Sequence, residues 1–215
     1  MDPLLIAKVI LGGAIAASDV PAALEGQPWN EISCDTWKVA AVNPTVRFRI
    51  AHTGKHILLH FHVSDTEARA VNDRDNGRVW EDSCCEFFLS PDGNDTYYNI
   101  ECNCIGTLLL HFGPAGAERP DAPAEAYAAV RRWSSLGKAA FGHMDGPLEW
   151  DLAEIIPCEA LFGHEIESFD GRRMKGNFYK CGDKTLSPHF LSWSPIDLPS
   201  PAFHCPQFFG ELIFE

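Results

Sequence analysis

From Thr96 to Cys104 polar and apolar side chains alternate. Tyr97, Asn99, Glu101 and Asn103 share one face of the run, and Tyr98, Ile100, Cys102 and Cys104 share the other. A period of two is the mark of a half-buried strand, so the second set belongs to a core and the first to an open face. That open face is a ladder of donors and acceptors two residues apart, the chemistry needed to hold a molecule rich in hydroxyls. A plain solvated sheet face would carry the same pattern. A second candidate lies in Arg78-Val79-Trp80-Glu81-Asp82-Ser83-Cys84-Cys85-Glu86, where Trp80 sits among charged residues ahead of a strand. An indole there is either half-buried packing or an exposed platform on which an apolar ring face can stack. Glu86 lies on the strand face opposite Phe87 and is a candidate pocket carboxylate. The third candidate segment, from Gly176 to Gly210, is dense in aromatics, His and Lys. It offers Asn177, Tyr179 and Lys180 as polar groups, Trp193 as core or pocket wall, and Phe203, in a Pro-flanked loop, as an exposed ring.

These residues need a scaffold, and the chain supplies short β-type runs broken by Gly, Pro, Asn and Asp. Val46–Ile50 alternates apolar and charged residues. His56–Val63 places Leu59, Phe61 and Val63 on one face and His60 and His62 on the other. Cys84–Leu89, Thr96–Cys104, Thr107–Phe112, Tyr127–Trp133, Leu148–Ile156, Lys175–Lys180, His189–Trp193 and Gly210–Phe214 read as further strands. Gly113–Glu125, rich in Gly, Pro and Ala, reads as an exposed loop. Short helical turns are expected at Ser18–Pro21, with Ser18 or Asp19 as cap, and at Glu159–Phe162. Long amphipathic helices are missing. The expectation is an all-β antiparallel sandwich with long loops, spanning residues 1–215 as one domain, because the strands on either side of the Gly113–Glu125 loop would make a thin sheet alone.

Composition narrows the partners. The chain has 215 residues, with 17 Lys plus Arg against 30 Asp plus Glu, a formal net charge of −13. Such a surface repels phosphate backbones and anionic lipid heads, so neither nucleic acid nor membrane is an expected partner, whereas a neutral ligand is compatible. No run is long enough for a transmembrane helix. The eight cysteines sit in apolar or strand-like runs, where free thiols act as small core residues, and this favours a reduced, cytoplasmic protein. A leader over residues 1–17 would instead mean secretion or the periplasm, but Asp2-Pro3 and Lys8 interrupt the pattern a signal peptide needs.

Other chemistries are weaker. His60 with His62, or Cys102 with Cys104, could point two ligands the same way, but no paired Cys-x-x-Cys set occurs and adjacent Cys84 and Cys85 face oppositely, so no metal ligands are assigned. No phosphate loop, His-Glu-x-x-His or Gly-x-Ser-x-Gly is present. A glycoside hydrolase needs two carboxyl groups flanking the scissile bond, and Glu86 with Glu101 is the best pair. A sandwich serving only as an interaction module is the third alternative. No catalytic residue is assigned.

From about Trp37 onward the chain resembles the family 9 carbohydrate-binding modules, and more closely the family-9-like proteins of Bacteroidetes-type genomes. The resemblance is carried by Trp80 with Glu86, Tyr97-Tyr98-Asn99-Ile100-Glu101-Cys102-Asn103, Asn177-Phe178-Tyr179-Lys180-Cys181-Gly182-Asp183, Leu191-Ser192-Trp193, and Pro206 with Phe209-Gly210. It implies a sandwich in which two aromatic rings clamp a mono- or oligosaccharide. Trp80 matches the first ring, and Phe203 falls where the family has its second tryptophan. Glu86 and Asn103 match polar positions near the sugar. Two departures stand out: Asp82-Ser83 lies one place early, and Glu101 stands where those modules place an arginine. The resemblance also implies structural calcium, although no Asp-rich loop offers ligands; no other cofactor is expected.

Overall fold

The computed structural model describes residues 2–215. Its strands are β1 (Leu4–Ile6), β2 (Asn30–Glu31), β3 (Thr45–His52), β4 (His56–Ala70), β5 (Cys84–Ser90), β6 (Thr96–Asn103), β7 (Leu108–Pro114), β8 (Arg131–Ser134), β9 (Gly142–Pro157), β10 (Arg173–Cys181), β11 (Phe190–Ser192) and β12 (Gly210–Phe214). Two short helices, α1 (Val20–Ala23) and α2 (Ala124–Ala129), and four single 3-10 turns complete the elements. One sheet runs β1-β12-β10-β5-β6-β7, with β11 sharing the β12 edge of β10; the other runs β2-β3-β4-β9-β8. All pairings between these strands are antiparallel except β1 with β12, which is parallel.

The two sheets close over one core because each strand sends alternate side chains inward. Cys85, Phe87 and Leu89 of β5, Tyr98, Ile100 and Cys102 of β6 and Phe178 of β10 meet Val46, Phe48 and Ile50 of β3, Leu59, Phe61 and Val63 of β4 and Trp150 of β9. Phe178 is the hinge pin of this packing. It stacks on Phe48 across the interface at 3.9 Å and on Phe87 within its own sheet at 4.6 Å. The alternation of β6 thus assigns its two faces as its side-chain period requires, but the face expected to be open is covered by the loops, and Tyr97, Asn99, Glu101 and Asn103 are all buried. Glu154 of β9 is the one carboxyl that this inner face carries opposite Leu59, and burial pushes it up to about 7.

The outer face of the second sheet is partly roofed by the N-terminal segment, where Ala17, Val20 and Leu24 cover Ala51, Leu58, Ala153 and Ile155. Beside that roof, His60 Nε2 and His62 Nδ1 share the Asp151 carboxylate at 2.8 and 2.9 Å, and His60 is buried rather than a surface group. These two hydrogen bonds hold the Asp151 carboxyl below its ordinary range. All eight cysteines are free thiols.

Two local expectations are corrected. Tyr127–Trp133 is not a continuous strand: α2 occupies Ala124–Ala129 and β8 begins only at Arg131. Four alanines in six residues favour helix, and the chain extends only from Val130 onward into Arg131-Arg132-Trp133-Ser134. The turn expected at Glu159–Phe162 forms one residue earlier, at Cys158–Ala160. At the opposite end of the chain, the 3-10 turn Ala17–Asp19 runs into α1 with Pro21 in the first turn, and Asp19 Oδ2 accepts from the Ala16 amide at 2.9 Å.

Candidate functional site

The outer face of the first sheet carries rows of side chains fixed by strand register. Tyr179, Glu86, Glu101 and Leu109 stand side by side across β10, β5, β6 and β7, and Asn177, Phe88, Asn99 and His111 form the next row. Loops rise around this face and leave a cleft of about 650 Å3, within the range of small-molecule sites, roughly 300–1,000 Å3. Glu86, Asn99, Glu101 and Leu109 form its floor; Trp80 and Phe203 stand in its walls, both half-buried.

Each wall is held from behind. Trp80 sits on the 3-10 turn Val79–Glu81, and its carbonyl accepts from the Asp183 amide at 3.2 Å. The turn is anchored by the fully buried Asp82. That carboxylate is ringed by donors: the Arg69 guanidinium, the Val71 and Asn72 amides at 3.1 and 2.9 Å, and the side-chain amide of Asn103 at 3.0 Å. Phe203 stacks on Tyr179 with centroids 4.2 Å apart and planes 10° from parallel, and the Tyr179 hydroxyl donates to the Phe203 carbonyl at 3.1 Å. A ring fixed in this way keeps one face committed to the protein and can offer only the remainder to a ligand.

The floor is electrostatically unusual. Glu86 and Glu101 are directly opposed across the β5–β6 pairing, and both are buried. Burial, with Cys181 and Glu101 adding to it, pushes the Glu86 carboxyl well above the carboxylate range. Burial pushes Glu101 up to about 7, against the opposing pull of the Asn99 amide, which donates to it at 2.9 Å, and of Arg119. Two neighbouring carboxyls in so dry a place cannot both carry charge at neutral pH. Carboxyls held toward their neutral form both donate and accept, which suits partners that do the same. Arg119 reaches this corner from the loop after β7. It donates to Asn99 Oδ1 at 2.6 Å, contacts the Tyr97 hydroxyl, and lies over the Tyr97 ring at 4.1 Å.

Of the residues that sequence reasoning singled out, the cleft brings together Trp80, Glu86, Glu101 and Phe203. The other five are placed elsewhere, for identifiable reasons. Asn103 holds the Asp82 cluster and the following turn, accepting from the Thr107 amide at 2.9 Å. Asn177 bridges to the Ser194 backbone with bonds of 3.0 and 2.8 Å. Tyr179 lies behind Phe203. Trp193 packs edge-on against Phe48 and Phe178 in the core. Lys180 points to the opposite face of the sheet, fully buried, donating to the Cys181 carbonyl and meeting His189 Nε2, both at 2.7 Å. Its neighbour on that face is Cys85. Sequence reasoning missed Arg119, His111, Cys181, Asp183 and His204 as lining residues. His111 and Cys181 carried a signal in strand alternation, and Arg119 carried none, since its loop reads as a spacer.

Calcium takes oxygen ligands, six to eight of them. Asp82, the most enclosed loop carboxylate, is already saturated by N–H donors and does not fit it. Among the described residues, the one cluster with close ligand atoms contains two thiols, the wrong donors for a hard cation.

A two-sheet sandwich with an aromatic-walled, polar-floored cleft on one outer face defines a class of ligand-binding β-sandwich modules. Within that class, the chain belongs to carbohydrate-binding family 9, whose model matches residues 19–214. It is similar to a candidate carbohydrate-binding protein from Bacteroides uniformis ATCC 8492, at 50% identity over 99% of each chain and a TM-score of 0.96. It also shares its fold with a family 9 module from Caldicellulosiruptor kristjanssonii. The structure of that module in complex with glucose matches at 10% identity and a TM-score of 0.67, covering 100% of this chain and 96% of that one. The same TM-score and identity hold for its complex with cellotriose, with 94% of that chain covered. No curated protein matches the sequence.

Proposed function

We propose that the protein holds a neutral saccharide in this cleft and performs no chemistry on it. The observation that carries the proposal is the placing of Trp80 and Phe203, two half-buried rings, in the walls of one cleft whose floor is Glu86, Asn99 and Glu101. Pyranose C–H faces stack on such rings by dispersion and desolvation, and the floor groups supply donors and acceptors for the hydroxyls. The Asn99–Arg119 bond fixes the amide so that its remaining hydrogen-bonding capacity points in one direction. Family membership and the sugar complexes of the Caldicellulosiruptor module support the same ligand class.

A hydrolytic role is disfavoured by the register. Glycosidase carboxyls flank the scissile bond from two sides, whereas Glu86 and Glu101 stand on adjacent strands of one face and approach any ligand from the same side. The net charge of −13 makes a polyanion a poor partner. Among the described residues no helix is long and apolar enough to cross a membrane. A glycan array followed by calorimetry, with glucose and cellotriose included as soluble probes, tests the proposal. Saturable binding to at least one neutral glycan is expected. Absence of binding across the array would overturn it, and release of reducing sugar, lost in Glu86→Gln, would overturn the non-catalytic part.

A further inference from the structure

Beside Glu86 of the cleft floor lie two thiols that sugar binding does not use. Cys84 of β5 and Cys181 of β10 are directly opposed in register, and Glu86 is two residues further along β5 on the same face. Their two sulfurs and a carboxyl oxygen all lie within 4.8 Å of one another. The Cys181 thiol donates to Glu86 Oε1 at 3.0 Å, and among the described residues no protein donor meets the second oxygen of Glu86. Both cysteines are buried, yet Cys181 and Glu86 line the cleft, so the trio has a route to solvent.

We infer that Cys84, Cys181 and Glu86 form a binding site for a thiophilic divalent cation such as Zn2+ or Cd2+, with its fourth coordination position open to the cleft. Two sulfurs select soft or borderline metals, and a carboxylate completes a donor set that zinc accepts. In a tetrahedral site with Zn–S near 2.3 Å, ligand atoms stand about 3.5–4 Å apart. The widest pair therefore closes by at most about 1.3 Å and the Cys181–Glu86 pair, at 3.0 Å, opens by about 0.5 Å, adjustments within reach of side-chain rotation. Three protein ligands and one open position are the arrangement of a site that receives an exogenous oxygen rather than a purely structural one. The lining favours a cation as well, because Glu86, Glu101, Glu118 and Asp183 line the cleft against a single Lys or Arg side chain, Arg119.

Cadmium titration of the full chain tests it, in a Cys34→Ser background that removes the partly exposed thiol and with a phosphine reductant. One equivalent of Cd2+ should bind with a thiolate-to-metal charge-transfer band. The band should vanish in Cys84→Ser/Cys181→Ser, and Glu86→Gln should weaken binding at least about tenfold. No stoichiometric band, or a band undiminished in the double variant, overturns the inference. Should the double variant fail to fold, zinc-soaked crystals of the unsubstituted protein decide. An anomalous peak about 2.3 Å from both sulfurs supports the site, and a peak elsewhere or none overturns it.

Discussion

Replacing Trp80 with alanine is the sharpest test of how the cleft works. The indole is half-buried, so at most about a third of a tryptophan's roughly 250 Å2, some 80 Å2, remains for a ligand to cover. At about 25 cal/mol per Å2 that area corresponds to about 2 kcal/mol, or roughly 30-fold in Kd. The hidden part of the ring packs with Val79, Cys84, Leu109 and Cys181. At the same coefficient the roughly 170 Å2 it hides corresponds to about 4 kcal/mol, so its removal should lower stability by about 3–4 kcal/mol, a fall of roughly 10 °C in Tm for a chain of this length. The expected outcome is a variant that is still folded and cooperative at 25 °C, with affinity for the best array glycan reduced about 30-fold by calorimetry. Trp80→Phe should recover part of the loss, since a smaller stacking face remains. Unchanged affinity in a folded Trp80→Ala would refute the stacking argument. A collapse in stability well beyond about 5 kcal/mol would show the ring to be core rather than wall.

Glu154→Gln should change how stability depends on pH. With its carboxyl raised from 4.5 to about 7, the folded protein keeps a proton that the unfolded chain has released across that window. Stability from this group therefore falls as pH rises from about 4.5 to 7 and is flat above, by on the order of 3 kcal/mol. Denaturant titrations of wild type and variant should diverge over that window, and parallel pH curves would contradict the assignment. Asp82→Ala leaves the Arg69 guanidinium and several buried donors unpaired, so a loss of about 3–5 kcal/mol is expected in chemical denaturation, and a loss under about 1 kcal/mol would contradict it. In Gly210→Ala the new Cβ would meet Trp193 Cζ3 at 2.5 Å, against a ring locked by Phe48 and Phe178. About 1–3 kcal/mol should be lost, whereas an unchanged Tm would show that the ring can yield.

The sandwich was legible because its signal is periodic. The alternation of Thr96–Asn103 and of His56–Val63 assigns the faces of β6 and β4 without reference to distant residues, and Phe178, Phe48 and Phe61 fall inward by the same rule. The cleft walls were legible for a different reason: Trp80 and Phe203 are large rings stranded in polar or Pro-rich loops, where burial alone does not account for them. Lys180 shows what happens when residue type is weighed above position. Its place next but one to Phe178 puts it on the core face, and there it is found, with His189 held neutral beside it by burial and by the ammonium. Asn103 and Asn177 illustrate another limit. A buried amide that satisfies backbone groups and one that faces a ligand look alike in sequence, and only the loops packed over them tell the two apart. Arg119 was out of reach because it arrives from a Gly- and Pro-rich loop, and its partners Asn99 and Tyr97 lie about twenty positions earlier in the chain.

The parallel pairing of β1 with β12 carries a mechanical consequence. Leu4 stands beside Leu212 and Ile6 beside Phe214, so a force applied between Leu4 and Phe214 drags the two strands along each other in opposite directions. Their hydrogen bonds then bear the load together in shear instead of parting one after another, and rupture requires a larger peak force than unzipping from one end. That resistant pair lies on the far side of β10 from the cleft floor.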